Sequence, residues 1–261
     1  MNDYWRERWS RSLNRIGNKN IKEIEKQMRK YYKSAMNKTI SEFESLYDKV
    51  LAKQAAGEEI SPATLYKLQK YWDVQAQLEH ELTKLGDKVA KKLSKAFEKN
   101  FFEVYYSITF ENKKLFNTID SAAARQIINQ VWCADGKTWS QRIWQNTQKL
   151  METLNEELIH VVVTGKKPTE LKHKLMERFN VSYNQANSLV TTEIANIETQ
   201  AAKQRYHDYG IQYMQFWAEK DERQCPECGK LHKKLYPVSG PMPVPVHPRC
   251  RCTMIPVVDD E

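Results

Sequence analysis

Four cysteines and one histidine near the end of the sequence have the types and spacing of metal ligands. Cys225 and Cys228 stand three residues apart in Cys-Pro-Glu-Cys, and His247, Cys250 and Cys252 follow in His-Pro-Arg-Cys-Arg-Cys. Two thiolates three residues apart on a tight turn can bind one tetrahedral ion from the same side, and a second pair completes the tetrahedron. The pattern therefore predicts a metal site, and zinc is the ion that Cys/His sets of this kind bind.

These five donors compete for four places. Cys225 and Cys228 are expected ligands, and the second pair comes from the three downstream donors, among which His247 with Cys250 is favoured. His232 is an outside candidate. The 18 residues between the two halves of the set are rich in Pro and Gly, so we expect them to fold on the ion instead of around a core of their own. Four protein ligands leave no open position, which predicts a structural Zn²⁺.

The cellular compartment in which we expect the chain to be made favours a metal site over disulfides. Residues 1–10 are charged and aromatic, without the apolar core of a signal peptide, and no run approaches the length of a membrane span. We therefore expect synthesis in the cytosol and no membrane partner. Clustered cysteines in a reducing cytosol bind metal more often than they form disulfides. Cys133 stands apart from the cluster and is expected to be a simple buried thiol.

The elements that position these donors are predicted to be mainly helical. Apolar residues recur at helical spacing through most of the chain, and they predict helices over residues 19–57, 62–85, 88–99, 101–110, 121–132, 139–164, 168–180 and 183–209. Residues 1–18 are interpreted as an arm anchored by Tyr4, Trp5 and Trp9. Ser61, Asp120 and Ser182 are expected to cap helices. Strand-like aromatics at 211–218 and a returning strand at 254–258 complete the prediction.

This pattern predicts a mainly α fold in two parts. Residues 1–118 form a basic, helical N-terminal domain. Residues 119–261 form a second, helical region that ends in a small α+β module, at about 211–258, held together by zinc.

The charge of the chain is concentrated near its beginning. The net charge is +8, and residues 1–100 hold 21 Lys and Arg against 14 Asp and Glu. A basic N-terminal part suits an acidic partner, such as DNA or an acidic protein surface. A solvated helix surface is the plainer interpretation. Since no recognition helix of a known type is evident, any DNA binding is expected to be independent of sequence.

Several stretches resemble a known family. The chain from Gly136 to Pro256 is similar to the phage Mu F-like, or minor head morphogenesis, family. The resemblance is carried by Gly136–Trp144, Gly165–Pro168, Arg178–Ser182, Val190–Glu193, and Asp221–Cys228 with His247–Cys252. The last stretch is the most specific. The family often has Arg before its Thr-Glu pair, where this chain has Thr191.

The resemblance implies a non-catalytic minor capsid protein of a tailed bacteriophage, present in few copies. Its implied partners are the portal protein, capsid or scaffolding proteins, and double-stranded DNA bound without sequence preference. Its implied location is the virion, in the head interior or near the portal, after a stage in the host cytoplasm during assembly.

Two alternatives from other classes stay open. One is a zinc-containing, non-specific DNA-binding protein that acts outside the capsid. The other is a zinc-stapled nuclease that uses His232 or His247. A P-loop is excluded at Gly136, because the first glycine of that pattern would fall on Val131. Glu193 and Glu198 are expected to be solvated or to cap a helix.

Overall fold

The computed structural model describes residues 3–110, 118–219 and 225–258. Within these ranges there are seven helices and three strands. The helices are α1 (Asp3–Ala55), α2 (Pro62–Tyr66), α3 (Gln69–Ser107), α4 (Ser121–Ile128), α5 (Trp139–Val163), α6 (Pro168–Asp208) and α7 (Pro226–Leu231). The strands are β1 (Tyr213–Trp217), β2 (Leu235–Pro237) and β3 (Thr253–Pro256). Of the described residues, 72% are helical, which confirms the predicted mainly α class.

The described residues group into two compact units. Unit 1 draws on the ranges Met1–Glu25, Lys92–Trp139 and Asn187–Glu261, and unit 2 on Lys26–Lys91 and Ser140–Ala186. Each unit is therefore assembled from segments that are distant in sequence. All the predicted metal ligands lie in unit 1. The division along the chain into 1–118 and 119–261 stays a prediction.

Unit 2 is built from helices that bury one apolar stripe each. Phe43, Leu46, Val74 and Leu154 are fully buried in its core. Gly86 permits a close approach of α3 and α5, because a β-carbon there would lie 2.7 Å from Cζ3 of Trp144.

Unit 1 contains the sheet. β1 is the central strand and pairs antiparallel with β2 on one side and β3 on the other. All of β3 is buried, and β1 is buried from Met214 onward. The two predicted strands are confirmed in position, and β2 is an addition to them. At three residues it is too short to leave a periodic signal.

Helix α1 begins much earlier than predicted, so the prediction of an N-terminal arm over residues 1–18 is wrong. Leu13, Gly17, Asn20 and Ile24 are buried at spacings of four, three and four residues, which continues the helical stripe upstream. Trp9 acts as an anchor: its Nε1 donates to the hydroxyl of Tyr206 at 3.1 Å. Tyr4 is exposed, and the side chain of Trp5 lies outside the described residues.

Helix α6 is continuous where a break was predicted near residues 180–182. Ser182 is inside the helix and buried, and it caps nothing. The apolar stripe of Leu175, Phe179, Ala186 and Val190 crosses this point without a change of phase, so burial outweighs the local signal for a cap. The other two predicted caps are confirmed, since Ser61 forms a capping box and Asp120 accepts from the backbone N–H of Ala123.

Candidate metal centre

The first half of the centre is a single helical turn. Cys225 is the N-cap of α7, with Pro226 at the first helical position. The backbone N–H of Cys228 donates to Sγ of Cys225 at 3.3 Å, as in a serine or aspartate cap. The cap therefore turns both thiols toward the same side. The preceding Asp221–Gln224 stretch, which contributed to the family resemblance, lies outside the described residues.

The second half is a tight turn leading into β3. The backbone N–H of Cys250 donates to the carbonyl of His247 at 3.1 Å. Arg249 adopts a left-handed conformation with φ of 61°, and its N–H donates to Oγ1 of Thr192 on α6 at 3.0 Å. This tie to α6 had no signal in the sequence, because 57 residues separate its two ends.

The five predicted donors converge around one buried thiol. Sγ of Cys228 lies 3.3 Å from Nε2 of His247 and 4.0 Å from Sγ of Cys250. Two groups have all their ligand atoms within 4.8 Å of one another: Cys225, Cys228 and His247 form one, and Cys228, Cys250 and Cys252 the other. Cys228 belongs to both groups and is 2% exposed. These groups could hold a metal ion.

The chemistry of the donors fits zinc. With Zn–S and Zn–N bonds of about 2.3 and 2.1 Å, neighbouring ligand atoms of a tetrahedron are roughly 3.5–3.8 Å apart. The two distances from Cys228, 3.3 and 4.0 Å, lie on either side of that range. Nδ1 of His247 donates to the carbonyl of Pro248 at 2.9 Å, which leaves Nε2 as the free lone pair facing Cys228. This hydrogen bond therefore orients the imidazole as an Nε2 ligand.

The thiols have unequal proton affinities. The backbone N–H of Cys228 lowers the pKa of Cys225, whereas burial raises the pKa of Cys228 to about 12. The Cys252 thiol donates a hydrogen bond that lowers the pKa of Cys250 to about 5, and the same contact raises the pKa of Cys252. The Pro248 carbonyl raises the pKa of His247. Since metal ligands must be deprotonated, ion binding would release protons from this cluster.

Two other sequence candidates lie outside both groups. Nδ1 of His232 accepts the backbone N–H of Ala218 at 3.2 Å, and its ring packs edge-on against Trp217. Cys133 is half-buried rather than buried. None of the five cysteines forms a disulfide bond.

A cleft of about 500 Å³ opens beside the centre within unit 1. Cys225, Cys228, His247 and Cys252 line one wall, and α1 and α6 provide the other. On that second wall, Nδ2 of Asn187 donates to Oε1 of Glu25 at 2.9 Å, so this carboxylate is engaged within the protein.

Both glutamates of α6 that were expected to be solvated or capping are buried, so that expectation is wrong. Glu193 accepts a hydrogen bond from Nε1 of Trp132 at 3.0 Å. Glu198 is buried against Gly17 of α1, beside a small cavity that Cys250 and Arg251 also line. Their partners come from distant segments, and only the tertiary fold reveals them.

The fold and the centre define a mainly α protein with a C-terminal Cys/His module. Residues 152–255 match the family described as Phage Mu protein F like protein. The match confirms the predicted resemblance: residues 152–255 are similar to this family, and that range includes all five donors. The Gly136–Trp144 stretch precedes the matched range. No curated protein and no solved structure matches the chain. Among the described residues, no helix is long and apolar enough to cross a membrane.

Proposed function

We propose that this chain is a non-catalytic minor head protein of a tailed bacteriophage, which joins the head beside the portal and carries a zinc-stapled C-terminal module. The observation that carries the proposal is the coincidence of the Mu F-like region with the Cys/His centre: both halves of the centre lie inside residues 152–255. A head morphogenesis protein acts by binding other head components. Its partners in this proposal are the portal protein and capsid or scaffolding proteins, and its place is the virion.

The proposed role of zinc is structural. The five donors are distributed over a six-residue helix and its N-cap, a turn and the residue before β3. Such short elements bury little apolar surface, so an ion that binds all of them would supply much of the free energy that holds them together. The Pro and Gly content of residues 229–246 supports the same conclusion.

A cationic surface of unit 1 supports contact with packaged DNA. Along α1, exposed cations recur every three or four residues and so share one face: Arg8, Arg11, Arg15, Lys19 and Lys22. On α3, Lys92 and Lys99 contact Glu23 of α1 at 3.3 and 2.9 Å, and Lys95 is exposed between them. Cations spaced along a helix can follow a phosphate backbone without reading bases.

The cleft beside the centre is the observation that favours a hydrolytic alternative. An ion bound by three protein ligands could face this space with an open position. A fourth possible ligand, the Cys250 thiol 4.0 Å from Sγ of Cys228, argues for a closed site instead. Incubation of pure, zinc-loaded protein with plasmid DNA tests this point. Cleavage that disappears in the His247→Ala variant would replace the non-catalytic proposal.

The decisive experiment is quantitative mass spectrometry of purified procapsids and mature particles from the source phage, scored against the portal protein. A few copies per particle in both is the expected result. Absence from both kinds of particle contradicts the head assignment, and would leave a DNA-binding zinc protein that acts outside the capsid as the better description.

A further inference from the structure

We propose that the Cys/His centre carries one thiol more than it needs, and that Cys250 and Cys252 are interchangeable as the fourth ligand. Cys225, Cys228 and His247 supply the other three ligands. This inference rests on the proposed zinc function of the module. It concerns how the ion is held, and not whether the chain belongs to the phage head.

The number of donors is the first support. Zinc in a structural site takes four ligands, and five donors converge here around Cys228. The histidine is already oriented as a ligand by the hydrogen bond from its Nδ1 to the Pro248 carbonyl. Cys225 and Cys228 are fixed by the α7 cap. The two downstream thiols are therefore left to share one coordination position.

Both downstream thiols lie beside the sulfur that the two groups share. They form one group with Cys228 in which the ligand atoms lie within 4.8 Å of one another, and this group meets the Cys225–Cys228–His247 group at Cys228. Cys250 is 1% exposed, with its Sγ 4.0 Å from that of Cys228. Cys252 is 7% exposed and lines the cleft together with Cys225, Cys228 and His247. Neither thiol is turned toward solvent, and both are close enough to the shared sulfur to bind the same ion.

The two thiols are held in place by different contacts. Cys250 is positioned by its own N–H, which donates to His247, and by the contact of Arg249 with Thr192. Cys252 is positioned by β3, whose first residue pairs with Trp217 and lies 2.7 Å, oxygen to oxygen, from the Ser10 hydroxyl. Because these anchors are independent, loss of one thiol leaves the other near the ion.

The test is cobalt and zinc binding by the full-length chain with serine variants at both positions. Cobalt serves as the probe because thiolate-to-cobalt charge-transfer absorption grows with the number of bound thiolates. We expect Cys250→Ser and Cys252→Ser each to bind one ion with the three-thiolate intensity of the wild type. Each should lose affinity by no more than about tenfold, the low end of the effect of changing a group next to a metal ligand. The double variant should fall to two thiolates and lose affinity by more than about 100-fold.

Two control variants accompany the comparison. Cys133→Ser lies outside the centre and should bind as the wild type does, whereas Cys228→Ser removes the shared sulfur and should bind weakly. Circular dichroism checks that each variant is folded, and alanine variants repeat the comparison where serine disturbs folding.

The outcomes separate the inference from the proposed zinc function. If either single variant drops to two thiolates while the other is unaffected, that position is a dedicated ligand and the inference is wrong. The inference also fails if both single variants lose the ion. A wild-type chain that binds neither cobalt nor zinc would instead contradict the proposed zinc function itself.

Discussion

The carboxyl group of Glu198 on α6 lies directly against the backbone of Gly17 on α1. A β-carbon at position 17 would lie 2.6 Å from Cδ of Glu198 and 2.8 Å from its Oε2. Only glycine leaves room for this contact. Oε1 of Glu198 has no hydrogen-bond partner among the described residues. The contact therefore requires the absence of a side chain at Gly17, and it buries the Glu198 carboxyl group.

Gly17→Ala is predicted to destabilise the protein. In an unhindered helix this change stabilises by up to about 1 kcal/mol. Here the added methyl group meets a buried carboxyl group, and overpacking of this kind costs about 1–3 kcal/mol. Denaturant unfolding followed by circular dichroism measures the difference. Ser12→Ala, at an exposed position of the same helix, is the control and should change little. A more stable Gly17→Ala variant would show that the two helices can separate at this point without cost.

Glu198→Gln is predicted to remove a loss of stability that occurs between about pH 4.5 and pH 8. Burial raises the pKa of Glu198 to about 8, from its ordinary value of 4.5. Because the folded state then binds the proton more tightly, the stabilisation from this group is complete below pH 4.5 and is lost as the pH rises to 8. The slope of this contribution between those limits is about −1.4 kcal/mol per pH unit.

Unfolding free energies at pH 6 and pH 8 check this prediction. The wild type should lose more stability between the two pH values than Glu198→Gln does, since glutamine has no proton to lose. Glu177→Gln, at an exposed position on the same helix, should follow the wild type. Parallel pH profiles for all three proteins would mean that the carboxyl group is solvated.

Removal of metal is predicted to unfold the C-terminal module and leave the helices. Chelation of the zinc-loaded protein should make residues 225–258 sensitive to protease, while most of the helical circular dichroism persists because α1 to α6 have their own apolar cores. Cys225→Ser should reproduce this effect without a chelator. Normal stability and an unchanged metal content in Cys225→Ser would contradict the zinc-stapled module.

Loss of charge on α1 is predicted to weaken DNA binding uniformly across sequences. The triple variant Arg15→Gln, Lys19→Gln and Lys22→Gln should lower the slope of log affinity against log salt by up to about 3, close to one per lost phosphate contact. Fluorescence anisotropy with two unrelated duplexes over a salt series measures this. A matched triple variant of exposed lysines on α5, α6 and their connection, at positions 149, 167 and 172, is the control. Equal slopes for both triple variants would place the DNA contact elsewhere or dismiss it.

The centre could be predicted from sequence because its donors are chemically distinctive and close together in the chain. Cys225 with Cys228, and His247 with Cys250, needed only spacing to suggest one ion. The helices were also visible from their apolar periodicity. The errors in helix boundaries at residues 1–18 and at Ser182 arose where local signals disagreed with a continuous buried stripe.

The buried glutamates could not be predicted in the same way. Glu198 is an ordinary helical residue in sequence, and its partner is a glycine 181 positions earlier. Whether a carboxyl group is buried depends on which helices pack against each other. The sequence pattern along a single helix does not show this. The same holds for Glu193, whose hydrogen bond comes from Trp132.

The hydrogen bond from Arg249 to Thr192 makes the Cys/His module something other than a transplantable zinc finger. A peptide of residues 211–258 would contain all five donors, yet it would lack the hydroxyl group that accepts the N–H of the left-handed Arg249. It would also lack Ser10, which contacts the first residue of β3. A bound ion would hold the donors of the module together, while Thr192 of α6 and Ser10 of α1 hold the turn and β3. On another scaffold, these residues would keep their donor atoms and lose the contacts with Thr192 and Ser10.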